Sequence, residues 1–212
     1  MAERKVRRRR KEARPGEIIE AGFEVFTEKG FNGTRLDEVA ARAGVAKGTL
    51  YLYFDSKEAL FEAALKAQLG STVNEIGAML EAYDGPSDKL VELLLSGMYQ
   101  RMSDPRARTL LRIVIGEGER FPNLVAFYHR EVVSKARGFM QRIVERGIER
   151  GEFSRTAVAD LPMVIAGPGI MATVWQLVFA QVEPVDLEEF RRAHIALVLD
   201  GLRARPGPPA GD

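Results

Sequence analysis

Apolar residues recur along this chain at spacings of three and four, and alternating runs are scarce, so the pattern predicts an all-α fold of about nine helices. Pro15 and Glu17 suit the first turn of a helix whose buried stripe would be Ile19, Phe23 and Phe26, closed by Lys29 and Gly30 before an Asn32-Gly33 turn. Thr34 is the candidate N-cap of a short helix in which Leu36, Val39, Ala40 and Ala43 share a face, and Gly44 ends it. The chain restarts after Val45, and the run Lys47 to Phe54 turns Leu50 and Phe54 inward. Asp55 and Glu58 form a capping-box pattern ahead of Leu65, Leu69, Val73, Ile76 and Leu80, in one helix of more than about 25 residues that Asp84-Gly85-Pro86 stops. Later helices are expected from Ser87 to Met102, from Asp104-Pro105 to about Gly116–Gly118, from Pro122 to Gly151, across Leu161 to Phe179, and from Asp186 to Leu202. Gly167-Pro168-Gly169 either kinks the fourth of these or starts it, because proline removes a backbone donor and crowds the preceding turn.

Two short helices joined by a glycine turn and followed by a third are the layout of a helix-turn-helix, here spanning Thr34 to Lys57. A second helix laid in a major groove presents its first residues to base edges, where small Gly48 and Thr49 permit close approach and Lys47 and Tyr51 carry donors. Tyr53 and Lys57 would flank them and meet phosphates; Lys57 falls in the first turn of the next helix, where free N–H groups and the helix dipole favour an anion. The competing reading is a buried helical corner with a solvated polar face.

The stretch GVAKGTLYLYFDSKEALF, Gly44 to Phe61, resembles the DNA-binding signature of the TetR (tetracycline-repressor) family of one-component bacterial regulators, with the specific likeness running from about Ile18 to Phe61. Two residues depart from it. Ala46 stands where many relatives carry a serine that caps the recognition helix, a loss worth about 1 kcal/mol. Arg35 replaces a frequent second threonine, which would exchange a hydroxyl contact to phosphate for a charged one. The resemblance implies that Thr34 and Arg35, with Lys47, Gly48, Thr49, Tyr51, Leu52, Tyr53 and Lys57, form the surface for double-stranded operator DNA.

The net charge of +1 becomes informative when divided along the chain: 13 Lys and Arg stand against 9 Asp and Glu up to Lys57, and 18 against 21 beyond it. The excess is concentrated in residues 1–14, where Arg7, Arg8, Arg9 and Arg10 lie among four further cations. This stretch is expected to be a disordered arm that phosphates or a narrow minor groove would attract, or else simply a solvated tail. With no cysteine there is neither a disulfide framework nor a thiolate metal site, and no apolar run approaches the roughly 20 residues that span a bilayer. The N-terminus lacks the apolar core of a secretory signal, so a cytoplasmic protein is the simplest expectation.

The expected division is the arm at 1–14, a DNA-binding domain at 15–61, a helical effector-binding and dimerisation domain at 62–203, and a mobile tail at 204–212. The resemblance implies an effector pocket, and Thr109 to Val132 resembles the AefR-like branch of the family. Candidate lining residues are Met98, Met102, Leu111, Ile115, Phe121, Phe127, Tyr128, Met171 and Trp175, whose area and adaptability suit an apolar or aromatic small molecule, although each alone reads equally as core. Pairing of the last two long helices across a twofold axis is also implied, with Gly169, Ala172 and Leu177 facing Phe190, Leu197 and Val198; a core within one chain is the alternative. Two bound recognition helices would then sit about 34–36 Å apart on a near-palindrome. No cofactor is called for. His129 and His194 have no carboxylate or second histidine at metal-ligand spacing, and no phosphate loop, nucleophile elbow or HExxH is present, so neither a metal site nor a catalytic residue is expected. The alternatives to a specific repressor are a DNA binder without sequence preference and an enzyme using the helical pocket.

Overall fold

The computed structural model describes residues 2–69 and 72–203, without the side chains of 2–13, 69 and 72–75. Its helices are α1 (Ala2–Gly33), α2 (Leu36–Arg42), α3 (Lys47–Tyr51), α4 (Lys57–Leu69), α5 (Thr72–Ala82), α6 (Ser87–Ser103), α7 (Pro105–Glu117), α8 (Pro122–Tyr128), α9 (Ser134–Glu149), α10 (Ala157–Asp160), α11 (Gly167–Val178) and α12 (Leu187–Leu202). Among the described residues no strand forms; a lone antiparallel bridge joins Phe153 to Arg203. The chain divides into two compact units, residues 1–70 with 109–129, and residues 71–108 with 130–212.

In the first unit α1 carries a buried stripe of Ile18, Ala21, Val25 and Phe26. The expected stripe is thus turned slightly, with Ile19 and Phe23 half-buried at its edge. Gly22 sets the approach of α4, since a Cβ there would lie 2.7 Å from Leu60 Cδ2. Phe26 stacks on Phe31 with centroids 5.7 Å apart, and Phe61 meets both rings edge-on. Phe121, ninety residues downstream of Phe31, completes the cluster edge-on at 4.7 Å. Residues 109–129, expected in the effector domain, therefore pack with the helix-turn-helix unit.

Three local expectations are corrected here. Helical backbone reaches back to Ala2, with Pro15 inside the helix and not at its start; the basic stretch is rich in Arg, Lys, Glu and Ala, all strong helix formers. Thr34 does not cap α2. Gly30 leaves the helical region (φ 70°, ψ 177°), and the Thr34 hydroxyl donates to its carbonyl at 2.6 Å, closing α1, while the N-cap of α2 is Arg35 without a side-chain bond. The cap of α4 is Ser56, whose Oγ accepts from the Ala59 N–H at 3.1 Å, in place of the Asp55–Glu58 box. Continuity of the expected long helix through Gly70 and Ser71 lies outside the described residues, as does the tail 204–212.

In the second unit α6, α9 and α12 enclose a core that includes Leu90, Leu95, Ile143, Val144, Leu199 and Leu202. The helix expected from Pro122 to Gly151 passes through a π turn at His129–Val133, and Gly151 ends it at φ 70°. Gly167 starts α11 with Pro168 in its first turn, after a 3₁₀ segment at Pro162–Ala166. Asp186 caps α12 by accepting from the Glu188 and Glu189 N–H groups at 2.8 and 3.2 Å. Deep in this unit His194 is held at both nitrogens. Its Nε2 lies 2.8 Å from the Ile165 carbonyl, which can only accept, so Nδ1 of the neutral ring accepts from the Tyr99 hydroxyl at 2.9 Å.

Candidate nucleic-acid interface

The turn of the helix-turn-helix is fixed by backbone alone. Gly44 adopts φ 65°, which allows its N–H to bond the Ala41 carbonyl and the Val45 N–H to bond that of Ala40, at 3.2 and 3.0 Å. This paired closure of a helix C-terminus satisfies two otherwise orphaned carbonyls. Val39, Ala40, Leu50 and Phe54 are buried beneath the turn, so α3 is anchored through Leu50 while its first residues face outward. Ala46, its N-cap, makes no side-chain bond; the Thr49 and Leu50 N–H groups instead reach the Ala46 carbonyl.

On the outward side a Cβ at Gly48 would meet nothing within 4 Å, and Tyr51 and Leu52 are 44% and 82% exposed. The apolar Leu52 side chain thus stands in water close in the chain to an open glycine. An open cleft of about 440 Å³ borders it, lined by Thr34, Arg35, Leu36, Asp37, Lys47, Tyr51, Ser56, Lys57 and Glu58. Of the expected DNA-facing residues, the structure therefore brings Arg35, Lys47, Tyr51 and Lys57 to one cleft, with Gly48, Thr49 and Leu52 on the adjoining helix and turn and Tyr53 half-buried behind them. Thr34 also lines it but is 3% exposed, with its hydroxyl committed to Gly30. The side chains of Arg7, Arg8, Arg9 and Arg10 lie outside the described residues.

Two cations behave differently from the sequence reading. Lys47 is paired across the turn with Asp37, 2.8 Å from Oδ1 and 2.9 Å from Oδ2, with its ammonium 5.9 Å from the Tyr51 ring. The hydrogen bond and charge of Asp37 raise its pKa above the ordinary lysine value. Lys57 turns away from any phosphate in front of α4. Its Nζ donates to the Phe31 and Asn32 carbonyls at 3.1 and 3.3 Å and lies 4.8 and 5.3 Å from the Phe31 and Phe121 rings. The dipole explains this: a cation is disfavoured at the start of α4 and favoured at the carbonyl end of α1. Glu117 complements it by accepting from the Asn32 N–H at 3.0 Å. On the flank, Arg42 forks onto Glu28, which raises the pKa of the first and lowers that of the second. Asp37, Glu28 and Glu117 have no sequence signal that marks their partners, since each pairing depends on how helices cross.

The effector candidates are divided between the units. Leu111, Ile115, Phe121, Phe127 and Tyr128 belong to the first; Phe121 and Phe127 are packed there and Ile115 is 58% exposed. Met98, Met102, Met171 and Trp175 belong to the second, where Met102 packs with Tyr99 and Ala172, and the Trp175 indole donates to the Glu183 carbonyl at 2.9 Å. A further cleft in that unit is lined by Ser96, Tyr99, Gln100, Ser103, Asp186, Leu187, Glu188 and Arg191, and none of the nine candidates borders it. Of the dimer candidates, Gly169, Ala172 and Val198 are buried within the chain: Gly169 admits Met98, Ala172 lies against Tyr99, and Val198 joins the α6–α9–α12 core. Phe190 rests on Tyr99 at 6.4 Å and Leu177 is half-buried, while Leu197 is 65% exposed. Four exposed apolar residues on α11 and its following turn, Ile170, Val178, Phe179 and Val182, were missed by the sequence reading, and Met171, read there as pocket lining, is exposed with them. Among the described residues no group of three or more His, Cys, Asp and Glu could hold a metal ion, and no helix is long and apolar enough to cross a membrane.

A glycine-closed corner that anchors a short helix through one leucine and bares its first residues beside a cationic cleft defines a helix-turn-helix DNA-binding protein. Residues 18–64 match the model of the tetR family of bacterial regulatory proteins, and residues 89–197 match the tetracyclin repressor-like C-terminal domain. The chain belongs to the TetR family: it is a DNA-binding transcriptional repressor and not an enzyme. It is 25% identical over 198 residues to the transcriptional repressor KstR2 of Mycolicibacterium smegmatis, covering 92% of this chain and 93% of that one. To the fatty acid metabolism regulator protein of Bacillus subtilis it is 26% identical over 190 residues, 88% of this chain and 94% of that one. Among solved structures, the regulator FadR of Bacillus subtilis in complex with stearoyl-CoA superposes with a TM-score of 0.72 at 21% identity, covering 87% of this chain and 97% of that one. A putative regulator from Saccharomonospora viridis in complex with choline superposes with a TM-score of 0.74 at 15% identity, covering 92% and 99%. These two likenesses concern the fold.

Proposed function

We propose that this protein acts in the cytoplasm as a homodimer that occupies a near-palindromic operator, blocks transcription there, and is released when a small apolar or aromatic effector binds its C-terminal domain. The observation that carries the DNA half of this reading is the bare first turn of α3, with Gly48 open and Tyr51 and Leu52 exposed beside Arg35 and Lys47. Reading of base edges by such a turn supplies specificity, and phosphate contacts supply register. The dimer half is supported by apolar side chains left in water on α11, α12 and the turn between them, Leu197 and Val182 above all, at 65% and 84% exposure. An effector releases DNA only if it binds the non-binding conformation more tightly, by about 1–3 kcal/mol for switching of the usual size. Long acyl chains, the apolar part of the ligand of the superposed Bacillus subtilis regulator, are the first chemical class to try.

Selection of binding sites from random duplex DNA tests the reading. A recovered motif with twofold symmetry and half-sites one helical turn apart is the expected result; a single unrepeated half-site would remove the dimer, and no motif at all would remove sequence-specific regulation.

A further inference from the structure

Lys47 stands at the first position of the helix that the proposed function places in the groove, yet its charge is already satisfied by Asp37 of α2. Both carboxylate oxygens lie within 2.9 Å of the ammonium, and both side chains remain half open to water, at 61% and 46%. Asp37 is itself held by its place in the first turn of α2, where the helix dipole favours an anion. It lies on the same cleft as Lys47, Tyr51 and Arg35, so the pair is part of the surface DNA would meet.

Resting on that reading of the α3 face, we infer that Asp37 is a specificity-determining residue: an internal counter-ion that Lys47 must leave before it can contact DNA. A phosphate offers the ammonium one more diffuse anion in exchange for a carboxylate already in place, so a purely electrostatic encounter gains little from Lys47. A guanine edge is neutral and alone a weaker partner than a carboxylate. Where the base is the right one, its two acceptors, O6 and N7, stand in fixed geometry against a helix already seated in the groove, and those contacts together draw Lys47 from Asp37. Asp37 thus subtracts Lys47 from non-specific binding and leaves it in specific binding. A free lysine at this position would contribute to every sequence alike, as counterion release does.

The test compares wild type with Asp37→Asn, on the duplex recovered by selection and on a random-sequence duplex, each titrated at several salt concentrations. Glu58→Gln serves as the charge control, because Glu58 lies on the same cleft and in a first helical turn but is not the partner of Lys47. D37N should bind the random duplex more tightly, with a salt slope steeper by about one per protomer, and should lower the ratio of selected to random affinity by roughly threefold or more. E58Q should shift both duplexes alike. In a Lys47→Met background D37N should leave the ratio unchanged. The inference is overturned if D37N moves both duplexes equally, if it lowers affinity for both at a constant ratio, or if its effect on the ratio survives in K47M. Failure of the underlying reading looks different: no duplex is selected at all, or K47M alone leaves the preferred sequence unaltered.

Discussion

Replacing Lys57 by methionine separates two roles that the same residue could play. The stem of the side chain is kept, so the packing along α4 is preserved and only the ammonium is removed. What it loses is two backbone acceptors, at 3.1 and 3.3 Å, and two aromatic faces, at 4.8 and 5.3 Å. The hydrogen bonds are long and partly exposed, worth about 0.5 kcal/mol each, and the ring contacts are near the lower end of about 0.5–1 kcal/mol each, so the first unit should lose about 1–2 kcal/mol. Urea unfolding followed by circular dichroism at fixed protein concentration measures this, and titration of the selected duplex over a range of salt measures the other role. The expected outcome is a lower midpoint with a nearly unchanged salt slope. An unchanged midpoint with a slope shallower by about one would show Lys57 to be a phosphate contact and refute its assignment as the clamp between the end of α1 and Phe121.

Other substitutions probe the second unit and the recognition surface. A Cβ at Gly147 would run into the Phe153 ring, which is 4% exposed and cannot move aside, so Gly147→Ala should cost about 1–3 kcal/mol net despite the helix propensity it gains. Tyr99→Phe should cost about 1–3 kcal/mol in the same unfolding assay by leaving His194 Nδ1 buried without a donor. Burial holds the His194 imidazole below its ordinary 6.5, against the opposing pull of the Ile165 carbonyl. The unfolded chain then binds more protons than the folded one just below that value, so stability should fall as pH drops through about 6.5, and His194→Gln should remove that part of the slope. Leu197→Glu should convert the proposed dimer to monomer in light scattering while leaving the helical content intact.

The helix-turn-helix was legible because its determinants are local: a glycine at a left-handed turn, inward leucine and phenylalanine four apart, and a bare glycine on the opposite side. Caps were less so. Thr34 and Ser56 both look like helix starters, yet Thr34 was drawn back to the carbonyl that Gly30 leaves open, a choice decided by how α1 ends. The same limit applies to charge. Sequence spacing counts Lys47 and Lys57 as available cations, whereas the crossing of α2 with α3 hands the first to Asp37, and the meeting of Phe31 with Phe121 encloses the second. The apolar residues of α11 and α12 illustrate the converse. Their composition gave a surplus of hydrophobic side chains, but only packing sorts Gly169, Ala172 and Val198 into the interior and leaves Ile170, Val178 and Leu197 outside.

The central claim, that α3 reads sequence and does not merely grip phosphate, is tested most directly by one ratio: the affinity for the selected duplex over that for a scrambled duplex of equal length and composition, at physiological salt. The account predicts a ratio of at least about 10³. A ratio near one, with steep salt dependence on both duplexes, would contradict it.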